Sequence, residues 1–128
     1  MTPASLNPTA PDGNLLADLP GELSEERFQT ILSQGVVRME RIVSRGHTSP
    51  ADGWWDQAQQ EWILVLQGGG TLLFADGREI TLNPGDHLFI PAHDQHKVIW
   101  TDPDKETIWL AVFWEDSRTG NVPEHDEW

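Results

Sequence analysis

The chain has 128 residues, a formal net charge of −13 at pH 7 and no cysteine. This length fits one domain, and the lack of cysteine excludes disulfides and thiolate metal sites. The acidic excess argues against nucleic acid and anionic membranes as partners, because both favour dense Lys and Arg. No apolar run approaches the ~20 residues that span a membrane, and residues 1–8 lack the features of a signal peptide. We therefore expect a cytoplasmic protein.

The N-terminal part of the chain predicts irregular structure followed by a short helix. Residues 1–22 begin with a stretch rich in Pro, Asn and Thr, and we expect this segment to be poorly ordered. Ser24 is a suitable helix N-cap, and Glu25 and Glu26 would stabilise the first turn through the helix dipole. Three apolar residues then follow at helical spacing, at Phe28, Ile31 and Leu32. The pattern predicts a helix that ends near Ser33.

Beyond this segment the apolar period changes to two, which is typical of β-strands. Residues 36–43 alternate in this way. The apolar run 72–75 and the alternating segment 78–82 flank Asp76-Gly77, which is a strong signal for a β-hairpin.

Two more apolar runs, 98–100 and 107–114, are separated by a polar turn. Many short strands interrupted by turns are typical of a β-sandwich or barrel. We expect a single all-β domain over residues 23–116, with the helix at its start, and an acidic tail over 117–128.

The segment 85–96, Gly-Asp-His-Leu-Phe-Ile-Pro-Ala-His-Asp-Gln-His, combines an apolar run, a proline and two histidines three residues apart. Imidazole is the commonest protein metal ligand and titrates nearest neutral pH. A second segment starts at Glu61 and reaches Gly68 after six intervening residues. Together the two segments resemble the paired motifs of the cupin superfamily.

This resemblance covers about residues 40–114 and implies a double-stranded β-helix, the jelly-roll barrel. The chain departs from the family pattern at His93, which replaces a glycine, and at Trp100, which replaces an asparagine. The His-x-His pair of the first motif is missing. Depending on the spacing, its positions fall on Trp55 and Gln57 or on Trp54 and Asp56.

Strand alternation places Glu61 on one face with Ile63 and Val65, where a carboxylate is costly without a partner. That partner is either a metal ion or an arginine, of which Arg41 and Arg45 are candidates.

The resemblance implies that Glu61 and His96 are metal ligands, with His93 as a third. Asp56 would fill a vacant histidine position, with Gln57 as the neutral alternative. Together Asp56, Glu61, His93 and His96 would form an N₂O₂ set that suits Fe, Mn, Ni or Zn. His93 or Asp56 would then act as a ligand or as a catalytic acid or base.

Structural explanations compete with these assignments. His93 is also compatible with a turn residue that caps a strand, Asp56 with a side chain that satisfies turn amides, and His87 with a structural histidine. Three functions remain open. The first is a metal-dependent oxygenase or isomerase that acts on a small organic substrate. The second is a metal-free cupin that binds or senses a small molecule, and the third is a structural barrel with a packed interior.

The chain has seven tryptophans and no tyrosine. Trp62, Leu64 and Leu66 alternate opposite to Glu61, so their face packs on the second sheet or on a partner subunit. Because cupins of this size commonly form dimers, the resemblance implies a homodimer. Trp54 or Trp55 either packs in the core or lines the mouth of the barrel, where an aromatic ring can stack on a ligand.

Overall fold

The computed structural model describes residues 8–115, which contain eight β-strands and no helix. The first four strands are β1 (Arg27–Gln34), β2 (Val37–Ser44), β3 (Gln60–Gln67) and β4 (Gly70–Phe74). The others are β5 (Glu79–Leu82), β6 (His87–Ile90), β7 (His96–Thr101) and β8 (Thr107–Trp114). The predicted all-β fold is therefore confirmed. The expected acidic tail over 117–128 lies outside the described residues.

Two antiparallel sheets face each other. The larger sheet has the strand order β1-β2-β8-β3-β6, and the smaller one has the order β5-β4-β7. Alternate residues of each strand point between the sheets and form the core, as the period of two requires. The core cluster consists of Ile63, Val65, Leu72, Phe74, Leu82, Ile90, Trp109, Ala111 and Phe113. This arrangement agrees with the expected cupin barrel.

The predicted helix over residues 24–33 is wrong, because Arg27–Gln34 forms strand β1 along the edge of β2. A register shift between Thr30 and Leu32 inserts an extra residue into the strand. This bulge interrupts the period of two, so the apolar residues acquire the spacing of a helical face. The ladder of hydrogen bonds to β2 then outweighs a weak local preference for helix.

Arg41 lies on the outer face of the larger sheet and anchors the N-terminal segment. Its guanidinium donates hydrogen bonds to the carbonyl oxygens of Leu15 at 3.1 Å, Ala17 at 2.7 Å and Asp18 at 3.2 Å. Its Nε donates to the side-chain oxygen of Gln29 at 2.7 Å. Arg41 is therefore fully engaged outside the barrel and cannot neutralise a carboxylate inside it.

The predicted hairpin between β4 and β5 is confirmed, although its loop has three residues rather than two. The amide of Phe74 donates to the carbonyl of Arg78 at 2.9 Å, which closes the loop of Ala75, Asp76 and Gly77. Gly77 has a φ of +98°, which favours glycine. Among the described residues, no helix is long and apolar enough to cross a membrane.

Candidate binding cavity

A cavity of about 280 Å³ lies between the two sheets, and residues of both sheets line it. Nine of its sixteen lining residues are apolar or aromatic, and seven are polar. The apolar lining residues are Phe28, Ile42, Trp55, Ile63, Leu72, Ile90, Val98, Trp109 and Phe113. The polar ones are Glu26, Arg38, Glu40, Ser49, Gln57, Glu61 and His96. A concave site that combines apolar and aromatic walls with polar groups is typical of small-molecule pockets.

Glu61 lies in β3, between Ile90 of β6 and Phe113 of β8. As expected, it shares the inward face with Ile63 and Val65, and only 7% of its surface is exposed. Its Oε1 atom is buried and accepts no hydrogen bond. A buried acceptor without a donor costs about 1–3 kcal/mol. Glu61 is therefore a destabilising group unless something in the cavity donates to it.

Neither Arg41 nor Arg45, the two expected partners, reaches Glu61. Arg41 binds the N-terminal segment on the outer face. Arg45 forms its ion pair with Glu106 at the surface. The charged neighbour of Glu61 is instead His96, whose Nε2 lies 3.5 Å from Glu61 Oε1.

His96 begins β7 and is 5% exposed. Its Nδ1 lies 2.8 Å from the carbonyl oxygen of Asp94. Because a carbonyl oxygen only accepts, Nδ1 carries a proton and Nε2 is the nitrogen that faces Glu61. Burial lowers the pKa of His96, but Glu61 and the Asp94 carbonyl raise it by more, so its pKa lies above the ordinary value.

The loop between β2 and β3 determines which residues fill the positions of the missing His-x-His pair. The amide of Trp55 donates to the carbonyl of His96 at 2.7 Å, and the amide of His96 donates back at 3.2 Å. This antiparallel bridge puts Trp55 and Gln57 on the cavity wall and turns Asp56 outward. Of the two alternatives that the sequence left open, the structure has the first. Gln57 Oε1 is also buried without a hydrogen-bond donor.

Asp56 and His93 lie outside the cavity and contact each other. His93 Nδ1 is 2.7 Å from Asp56 Oδ1, and Gln95 donates to Asp56 Oδ2 at 2.9 Å. Hydrogen bonds from Gln95 and His93 lower the pKa of Asp56. The His93 side chain is 67% exposed, and its φ of +64° accounts for the glycine that the family has at this position. The expected convergence of Asp56, Glu61, His93 and His96 is therefore wrong.

The chemistry of the remaining donors does not fit a transition-metal site. Within residues 8–115, no three His, Cys, Asp or Glu side chains form a group that could hold a metal ion. Glu61 and His96 supply two donors in the cavity, and Gln57 adds a neutral amide oxygen. Catalytic zinc sites, by comparison, use three protein ligands that are imidazole, thiolate or carboxylate.

Two carboxylates at the cavity wall, Glu26 and Glu40, were not singled out from the sequence. Glu40 pairs with Arg38, whose Nε lies 3.1 Å from its Oε2, while the Arg38 guanidinium stacks 4.4 Å from the centre of the Phe113 ring. Glu26 accepts a hydrogen bond of 2.5 Å from Ser44. The signal for Glu40 was present, because the period of two in β2 puts Arg38 and Glu40 on the inward face with Ile42.

Comparisons with known proteins agree with this architecture. A family model described as "Cupin domain" matches residues 43–113, which is more than half of the chain. Comparison with curated proteins gave no match.

Among solved structures, a putative mannose-6-phosphate isomerase of Ralstonia eutropha JMP134 is 39% identical, with a TM-score of 0.77. That match covers 84% of this chain and 100% of the other. A cupin superfamily protein of Desulfitobacterium hafniense DCB-2 is 18% identical over 91% of this chain and 100% of the other, with a TM-score of 0.69. An RmlC-like cupin protein of Desulfovibrio desulfuricans is 16% identical over 82% of this chain and 96% of the other, with a TM-score of 0.67. The last two likenesses concern the fold alone.

Proposed function

This chain belongs to the cupin superfamily, and we propose that its barrel cavity binds a small organic molecule through Gln57, Glu61 and His96 without a bound metal. One observation supports the proposal above the others. Glu61 Oε1 and Gln57 Oε1 are both buried at the cavity wall and neither accepts a hydrogen bond from the protein. Buried polar atoms in native proteins are almost always satisfied. A ligand with hydrogen-bond donors, such as hydroxyl or amine groups, would satisfy both acceptors.

The experiment is a thermal-shift screen of small organic molecules, carried out on the whole chain with and without a chelator. We expect at least one compound to raise the Tm in both conditions, because a ligand that binds only the folded state stabilises it. Gln57→Leu removes one of the two acceptors and should weaken this shift. Gln59→Leu, two residues away and not part of the cavity wall, is the matched control and should retain it.

A shift that disappears with the chelator would contradict the metal-free proposal. Near-stoichiometric Fe, Mn, Ni or Zn in protein purified without chelator or histidine tag would do the same. In that case Glu61 and His96 would be the two side chains that hold the ion, with the Gln57 oxygen as the neutral donor. The metal-dependent oxygenase or isomerase would then replace the binding protein as the proposed function.

Isomerase-type chemistry is the second candidate function. Two features favour it: the name of the Ralstonia eutropha relative and the contact between His96 and Glu61, in which the pKa of His96 is raised. An imidazole next to a carboxylate is suited to moving a proton between two carbons of a bound substrate. His96→Asn should then abolish proton exchange between a bound substrate and deuterated solvent while leaving binding measurable. Exchange that persists in this variant would contradict the role of His96.

A homodimer formed through the outer face of the larger sheet is also part of the proposal. Phe89 is 50% exposed there, and its ring stacks on Trp114 with 6.0 Å between ring centres. Trp62 contacts His87 with tilted rings, and their centres are 5.5 Å apart. Exposed apolar surface of this kind is typical of an interface. Light scattering should give about twice the 14.4 kDa of one chain, and Phe89→Glu should give a monomer. Val36→Glu, at an equally exposed apolar residue in the β1–β2 turn, should leave the mass unchanged.

A further inference from the structure

We infer that the cavity selects a small organic cation with an apolar body, such as an arylalkyl primary amine, over neutral or anionic molecules of the same shape. This inference rests on the proposed binding function and adds the chemical class of the ligand. It is carried by the charge of the cavity wall, by its aromatic rings and by its unpartnered acceptors.

The charge of the wall is negative. Three carboxylates line the cavity, from Glu26, Glu40 and Glu61, against a single arginine, Arg38. Arg38 forms an ion pair with Glu40, with 3.1 Å between its Nε and Glu40 Oε2, and its guanidinium covers the Phe113 ring, although its Nε donates no hydrogen bond. Glu61 has the His96 imidazole 3.5 Å away as its counter-charge, and Glu26 has no cationic partner among the described residues. The wall therefore keeps a negative excess, and an anionic ligand would be repelled by it. A cationic ligand would compensate this excess.

The aromatic rings of the wall favour a cation as well. Phe28, Trp55 and Trp109 line the cavity, and Phe28 meets Trp55 edge to face with 6.4 Å between ring centres. The face of an aromatic ring attracts a cation, and the attraction increases when water is excluded. Carboxylates combined with aromatic faces therefore complement an ammonium group joined to an apolar body.

The unpartnered acceptors are the independent observation that points to a ligand. Glu61 is 7% exposed, and its Oε1 accepts no hydrogen bond. The Oε1 atom of Gln57 is also buried and accepts none. A primary ammonium group has three N–H donors and no acceptor, so it can satisfy both oxygens at once. An ionised carboxylate has no donor to offer them. A hydroxyl has one donor and brings no charge.

The experiment is isothermal titration calorimetry of the full chain at pH 7 with benzylamine, benzyl alcohol and benzoate. These three probes share one aromatic body and carry a positive, a neutral and a negative group respectively. We expect benzylamine to bind about tenfold more tightly than benzyl alcohol, and benzoate to bind most weakly. The indole N–H signals of Trp55 and Trp109 in NMR spectra would report whether binding occurs in the cavity.

The outcomes separate this inference from the proposed function. Equal binding of the amine and the alcohol, or tightest binding of benzoate, overturns the selection of a cation while the cavity remains a binding site. Absence of binding by all three probes overturns the inference as well, and the thermal-shift screen then tests the binding function by itself. Binding of the amine without any change in the Trp55 and Trp109 signals overturns the assignment to the cavity.

Charge-neutralising variants test the role of the carboxylates. Glu61→Gln keeps the shape of the side chain and should lower the affinity for benzylamine by about tenfold, with little change for benzyl alcohol. Glu40→Gln, at a partly buried residue of the cavity wall, should shift affinity in the same direction and keeps the test available if the first variant folds poorly. Glu79→Gln, on the exposed face of β5, is the control and should change neither affinity. Unchanged benzylamine affinity in both cavity variants would overturn the inference.

Discussion

The molecule contains two pairs of a histidine and a carboxylate, and they differ in almost every physical respect. Glu61 and His96 are 7% and 5% exposed, stand 3.5 Å apart and leave a carboxylate oxygen without a donor. Asp56 and His93 are exposed, stand 2.7 Å apart and have both carboxylate oxygens satisfied. The same functional groups therefore have unmet hydrogen-bonding capacity in one place and none in the other. Burial, and not residue type, identifies the candidate site.

The largest expected effect on this comparison comes from removing the imidazole of each pair. His96→Ala leaves the Glu61 carboxylate buried without a counter-charge, which should lower the free energy of unfolding by about 3 kcal/mol. His93→Ala removes an exposed hydrogen bond to Asp56 and should lower it far less, because solvent screens exposed polar contacts. Urea denaturation of both variants measures the two losses. Similar losses would show that the buried pair is no more important for stability than the exposed one.

The double variant Glu61→Gln/His96→Ala is the control for that experiment, and its free energy of unfolding is measured in the same way. Because the amide side chain introduced by Glu61→Gln carries no charge, the double variant should recover part of the stability that His96→Ala loses. A double variant that is less stable than His96→Ala would mean that the loss arises from packing around the ring, which lies 5.7 Å from the ring of Phe74, rather than from the unpaired charge.

The pH dependence of stability should also differ between the pairs. The pKa of His96 is raised on folding, so its stabilising contribution is complete below the unfolded value of about 6.5. It is lost as the pH rises through the higher pKa of the folded state. The difference in unfolding free energy between the natural chain and His96→Asn should therefore be larger at pH 6 than at pH 8.

The exposed pair should respond in the acid range instead. The pKa of Asp56 is lowered on folding, so its contribution is present above about pH 4 and is lost as the pH falls through the lower folded pKa. The difference between the natural chain and Asp56→Asn should shrink only in acid. Two results would contradict the assignment of the two environments. One is a change between pH 6 and pH 8 in the unfolding free energy difference between the natural chain and Asp56→Asn. The other is no such change for His96→Asn. Histidine NMR titrations measure the His96 value directly.

Much of the fold follows from local pattern, and the helix shows where local pattern fails. The period of two and the Asp76-Gly77 turn are sufficient to predict β2 and the β4–β5 hairpin, because strand faces and turns are encoded by neighbouring residues. In β1 the bulge between Thr30 and Leu32 gives the apolar residues a helical spacing. Only the pairing with β2, which is not a local property, decides in favour of a strand.

The candidate site divides in the same way. Glu61 and His96 were predicted from the spacing of the two motifs, and both line the cavity. Asp56 points away from the cavity because two backbone hydrogen bonds join Trp55 to His96. These two residues lie far apart in the chain. The sequence spacing does not determine how the segment around Trp55 pairs with His96. A shift of one residue in this pairing would turn Asp56 toward the cavity and Trp55 and Gln57 away from it. The inward position of Glu40, in contrast, can be predicted from the period of two in β2.

The smallest expected effect concerns the backbone of His93, which has a φ of +64°. A left-handed conformation costs a residue with a Cβ atom about 1 kcal/mol, and glycine adopts it freely. His93→Gly and His93→Ala both remove the imidazole and its contact with Asp56, so their difference isolates the backbone. We expect the glycine variant to be more stable than the alanine variant by about 0.5–1 kcal/mol in urea denaturation. Equal stabilities would mean that the loop relaxes out of the left-handed region in the alanine variant. The imidazole contact with Asp56, rather than the surrounding chain, would then hold His93 in its conformation, and the exposed pair would have a structural role after all.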